Sequence, residues 1–87
     1  MFSLHSHNYY LECFPQEGES FLKKQGEALY RSKNWALRDA KKWLYATGLG
    51  ARIRLWRNDP SLPVLVYEAS MTKNGIGLYY VLLNQRL

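Results

Sequence analysis

The sequence predicts an α+β domain, with one helix packed on one face of an antiparallel sheet of about five strands, in the order β-β-(β)-α-β-β-β. Three observations predict it. Residues 34–46 repeat apolar side chains with the period of a helix. Residues 51–57 alternate with the period of a strand, and Asn74-Gly75 marks a hairpin between two apolar runs.

From the N-terminus, Tyr9-Tyr10-Leu11-Glu12-Cys13-Phe14 is aromatic and strand-like, and Pro15 stops it. Ser20-Phe21-Leu22-Lys23 and Ala28-Leu29-Tyr30-Arg31 flank Gln25-Gly26, which suggests a second hairpin. A helix over 18–33 is the rival reading, and Gly26 counts against it. The main helix is expected to start at Asn34, whose side chain suits an N-cap. Within it Ala36, Leu37, Ala40, Trp43 and Leu44 follow the i, i+3, i+4, i+7 spacing of one buried stripe. Trp35 is expected beside that stripe and in the core. Arg38, Lys41, Lys42 and Tyr45 fall on the wet side. Asp39 and Lys42, at i and i+3, are expected to pair. Gly48 fits the end of the helix, and Gly48-Leu49-Gly50 reads as a cap and turn.

Ala51-Arg52-Ile53-Arg54-Leu55-Trp56-Arg57 then alternates strictly. Ala51, Ile53 and Leu55 should face the core, and Arg52, Arg54 and Trp56 the opposite side. Asn58-Asp59-Pro60-Ser61 is a turn by composition. Residues 63–69 form the next strand, and Asn74-Gly75 joins it to a last strand over 76–83, which a helix could replace.

Eighty-seven residues leave room for a single domain, 1–87. The 47% hydrophobic and 15% aromatic content suits a packed core rather than disorder. The net charge of +5 is uneven. Residues 23–57 carry ten basic groups against Glu27 and Asp39, a surplus of +8. Such a cluster attracts polyanions if the fold gathers it on one face, and otherwise only keeps the surface solvated. The lone cysteine, Cys13, excludes a disulfide scaffold and fits a small apolar strand residue in a reducing, cytoplasmic setting. Neither a leader nor an apolar run near membrane-span length is evident, so no membrane association is expected.

Catalytic constellations are thin. Cys13 with His5 and His7 would need a rigid frame that a chain end does not give. His5 and His7 with Glu12 make no recognisable metal set, and no motif calls for a cofactor. The arrangement with content is Arg52, Arg54 and Trp56 on one strand face. Two guanidiniums and an indole suit phosphate and base stacking, and equally a protein interface. A third alternative buries Trp56 and lets the arginines reach the edge.

The reading is therefore a non-enzymatic accessory or regulatory protein that binds a macromolecule through a basic and aromatic surface. The contact residues are Arg38, Lys41 and Lys42 of the helix and Arg52, Arg54 and Trp56 of the strand. A protein, with an acidic surface, is the first partner class and nucleic acid the alternative. The apolar final strand adds self-association as a further expectation.

Overall fold

The computed structural model describes residues 7–80, with side chains through Gly77. It contains β1 (Tyr9–Phe14), β2 (Phe21–Lys23), α1 (Lys33–Thr47), β3 (Arg52–Arg57), β4 (Val64–Thr72) and β5 (Gly75–Tyr80). The five strands form one antiparallel sheet in the order β2-β1-β3-β4-β5. The helix lies on one face, against β1, β3 and β4. The class is the α+β one predicted, with the bracketed third strand reduced to isolated bridges.

That reduction has a local cause. β2 pairs with β1 rather than with 28–31, through Leu11↔Lys23, Glu12↔Leu22 and Cys13↔Phe21. Residues 25–28 close a tight turn in which Gln25 and Ala28 exchange backbone hydrogen bonds of 2.8 and 3.1 Å. Two residues later Tyr30 exchanges two 2.8 Å bonds with Tyr9, which carries the chain back across the sheet and under the helix.

The helix begins two residues earlier than its sequence suggests. Ser32 is the N-cap, extended at φ −134° and ψ 134°, and its hydroxyl accepts from the Asn34 and Trp35 amides at 3.1 and 3.4 Å. Tyr30 is still held to the sheet, so Ser32 is an early position at which the chain can turn into a helix with a side-chain acceptor in place. Replacing Ser32 by Ala should cost about 1 kcal/mol of unfolding free energy, while Asn34→Ala stays within about 0.5 kcal/mol. Urea titration of both variants checks this. Equal losses at the two positions would return the cap to Asn34.

The buried stripe is Ala36, Ala40 and Leu44, with Leu37 and Trp43 packed at its sides. The two alanines let the helix axis approach the sheet, where Leu11 and Cys13 of β1, Ile53 and Leu55 of β3, and Tyr67 and Ala69 of β4 complete the core. Trp35 departs from expectation: it is 51% exposed. The expected Asp39–Lys42 pair is also absent among the described residues. The Asp39 carboxylate instead accepts from the buried Tyr30 hydroxyl at 2.9 Å. That bond ties the helix to the segment that leads into it.

Gly48 ends α1 at φ 99°, and Gly50 at φ 89° completes the turn into β3. Such angles exclude most other residues. The β4–β5 loop proper is Lys73-Asn74, one residue earlier than predicted, and Gly75 at φ 111° opens β5. Among the described residues β5 lies at a sheet edge, and residues 81–83 of that predicted strand lie outside those described.

Candidate binding faces

The helix covers one face of the sheet and, among the described residues, leaves the other bare. Strand pleating puts Tyr10, Glu12 and Phe14 of β1 on the bare face, with Arg52, Arg54 and Trp56 of β3 beside them. The register sets Tyr10 opposite Trp56, Glu12 opposite Arg54, and Phe14 opposite Arg52. On the far side β4 adds Glu68 opposite Arg54 and, after a bulge between Leu55 and Trp56, Leu65 opposite Trp56.

These side chains satisfy one another. Arg54 Nε donates to Glu68 Oε2 at 3.3 Å, and Arg52 Nη1 lies 3.6 Å from the same oxygen. Both guanidiniums also stack over the Phe14 ring, at 4.5 Å for Arg52 and 5.4 Å for Arg54. The Trp56 indole N–H donates to Glu12 Oε1 at 3.0 Å. Arg57, at the strand end, is held by Asp59 through bonds of 2.8 and 2.9 Å. The Arg57 guanidinium keeps the Asp59 carboxyl below its usual range, and His7 Nδ1 lies 3.9 Å from the same carboxylate. Two arginines facing two glutamates leave this cluster close to neutral.

Between β1, β2 and the β3–β4 loop this face opens into a groove of about 410 Å³, lined by Tyr10, Glu12, Leu22, Trp56, Leu62 and Pro63. Its rim is apolar and wet: Leu22 is 61% exposed and Leu62 68%. Burial, then the Glu12 charge, raise the Tyr10 phenol above its ordinary pKa, so it stays neutral through the physiological range.

The other three predicted contact residues sit on the far side of the molecule. Arg38, Lys41 and Lys42 are exposed on α1, and none makes an ion pair among the described residues. Arg38 stacks on Trp35 at 5.2 Å, and Tyr45 stands 66% exposed. Where α1 passes β2, Lys23, Asp39, Lys42, Trp43 and Ala46 surround a second hollow of about 300 Å³. The six predicted residues thus divide between two opposite faces.

The sequence does not point to Leu22, Leu62 and Pro63, which shape the groove with Tyr10, or to Trp35 as an exposed ring. The alternation Tyr10-Glu12-Phe14 was a usable signal. Nothing local marks Leu62, whose place depends on where the loop folds back.

Cys13 is fully buried, and burial pushes its thiol up to about 11, so it is protonated near neutral pH. His5 lies outside the described residues. Among the described residues, no three His, Cys, Asp or Glu side chains converge to hold a metal ion, and no helix is long and apolar enough to cross a membrane. Comparison with protein families, with characterised proteins and with solved structures gives no match in any of the three.

Proposed function

We propose that the protein is a small non-enzymatic accessory protein that binds another protein through the bare sheet face. The observation that carries this reading is the groove beside Trp56. Large apolar and aromatic side chains line it, two leucines stand in water at its rim, and the two arginines nearby share the Glu68 carboxylate. Aromatic and arginine side chains around a dry centre are the usual anchors of protein interfaces. Stacked on Phe14 and tied to Glu68, Arg52 and Arg54 are held in place before a partner arrives, so little rotamer entropy is lost on binding.

Nucleic acid is the weaker occupant for this face. A phosphate would have to compete with Glu68 for both guanidiniums, and Glu12 and Glu68 would repel it. An acidic surface on the partner is likewise matched better by the helix side, whose cations are unneutralised.

The test compares two immobilised baits, the natural protein and the Leu22→Ser/Leu62→Ser variant, in native lysate at roughly 50 and 300 mM salt, with nuclease. Both leucines are exposed, so the variant should keep the fold. A discrete protein retained by the natural bait at both salt levels, and lost by the variant, is the expected outcome. A protein held equally by both baits would remove the groove from the interface.

A further inference from the structure

The bare sheet face leaves most of the charge unexplained. Residues 23–47 carry seven basic groups against Glu27 and Asp39, a surplus of +5 equal to that of the whole chain. None of those seven forms an ion pair among the described residues. One of the two acids, Asp39, is engaged by the Tyr30 hydroxyl. Among the described residues the fold therefore separates charges by face: Arg52 and Arg54 are ion-paired on the sheet, while Lys33, Arg38, Lys41 and Lys42 of the helix are not.

Helical spacing orders part of this surplus into a ridge. Trp35, Arg38, Lys42 and Tyr45 follow i, i+3, i+7 and i+10, opposite the buried Ala36, Ala40 and Leu44, and Lys41 flanks them. An exposed ring stands at each end with cations between. Arg38 braces the Trp35 ring by stacking on it. From Trp35 to Tyr45 the ridge runs about 15 Å, roughly four phosphates at the stacked spacing of a single strand. Beside it Lys23, from β2, and Lys42 converge on the 300 Å³ hollow, which Asp39 also lines.

We propose that this ridge binds single-stranded nucleic acid, with phosphates on Arg38, Lys41 and Lys42 and unpaired bases stacked on Trp35 and Tyr45. Cations interleaved with exposed rings match phosphates interleaved with bases. A duplex keeps its base faces stacked and offers the rings nothing. This surface is separate from the sheet groove and does not depend on the protein-partner reading.

Fluorescence anisotropy with a labelled oligothymidylate of about twelve nucleotides, and with a duplex of equal length, tests it. The single strand should bind more tightly than the duplex. The log-log salt slope should be about −2, for three phosphate contacts at about 0.7 each. Lys41→Gln/Lys42→Gln should weaken binding and flatten the slope by about 1.4. Trp35→Ala and Tyr45→Ala should each weaken it about tenfold with the slope unchanged. All four side chains are exposed, and circular dichroism confirms that the variants fold. The Leu22→Ser/Leu62→Ser protein should bind like the natural one, which keeps this outcome distinct from that of the groove. Equal binding of duplex and single strand, no loss in the aromatic variants, or equally strong competition by polyglutamate would overturn the proposal, the last pointing to an acidic protein instead.

Discussion

Trp56→Ala is expected to weaken partner binding about thirtyfold or more and to leave the fold in place. The ring forms a wall of the sheet groove, and its N–H is fixed by Glu12 at 3.0 Å, so the indole is presented in one orientation. Truncation removes the wall and frees Glu12, which water can reach. Buried aromatic anchors of this kind cost 2 kcal/mol or more when cut to alanine, about a thirtyfold change in affinity. Trp56→Phe keeps an aromatic wall and loses the N–H, so its loss should be smaller. Lys41→Gln/Lys42→Gln lies on the opposite face. It should alter only the association rate and its salt dependence, as remote charges do. Surface plasmon resonance with the captured partner, which reads affinity and association rate together, separates the three. An affinity within twofold of the natural protein for Trp56→Ala would move the interface off the sheet.

The two faces differ in how far the sequence discloses them. The direction of Arg52, Arg54 and Trp56 follows from the strict alternation through β3, because a strand has one period and Ile53 and Leu55 can only go to the core. What those side chains meet is set at long range. Glu68, Glu12 and Phe14 are brought to them by strand register, and the bulge between Leu55 and Trp56 shifts that register midway. Whether a cluster of basic residues along the chain becomes a single patch is therefore not written in the sequence. In fact the Gly48–Gly50 turn sends α1 over one face while the β3 arginines point out of the other.

Trp35 shows the same limit within one helix. The buried stripe runs at strict i+4 steps through Ala36, Ala40 and Leu44, and Trp35 is one residue, about 100°, away from it. A broad stripe, which the apolar pattern also allowed, would have buried the ring. Tyr30 is the opposite case. The sequence places it in a strand, yet its single bridge to Tyr9 and its bond to Asp39 make it a fully buried element of the core.

That core carries the second large effect, a loss of stability in alkali. The Cys13 thiol titrates near 9 when solvated and is pushed up to about 11 in the fold, chiefly by burial, with Lys23 opposing the shift and Glu12 adding to it. Burial and then the bond to the Asp39 carboxylate raise the Tyr30 phenol well beyond its ordinary 10. In both groups the folded chain favours the protonated form. Between the unfolded and folded values the native state holds more protons than the unfolded one, so stability falls as pH rises. The thiol contribution is complete below pH 9 and declines from there to about 11, by about 2–3 kcal/mol in all. The phenol adds its own loss from pH 10 upward. For a chain of this size the thiol alone should lower Tm by about 10–20 °C across that window. Melts followed by circular dichroism from pH 8 to 11 should fall gently at first and steeply above 10. Cys13→Ala removes a small buried group and lowers stability at neutral pH, but should flatten the segment between 9 and 10. Tyr30→Phe should spare that segment and flatten the one above it. A Cys13→Ala protein that keeps the natural slope from pH 9 to 10 would mean that the thiol is hydrated in the fold, and that helix and sheet pack less closely over β1 than Ala36 and Ala40 permit.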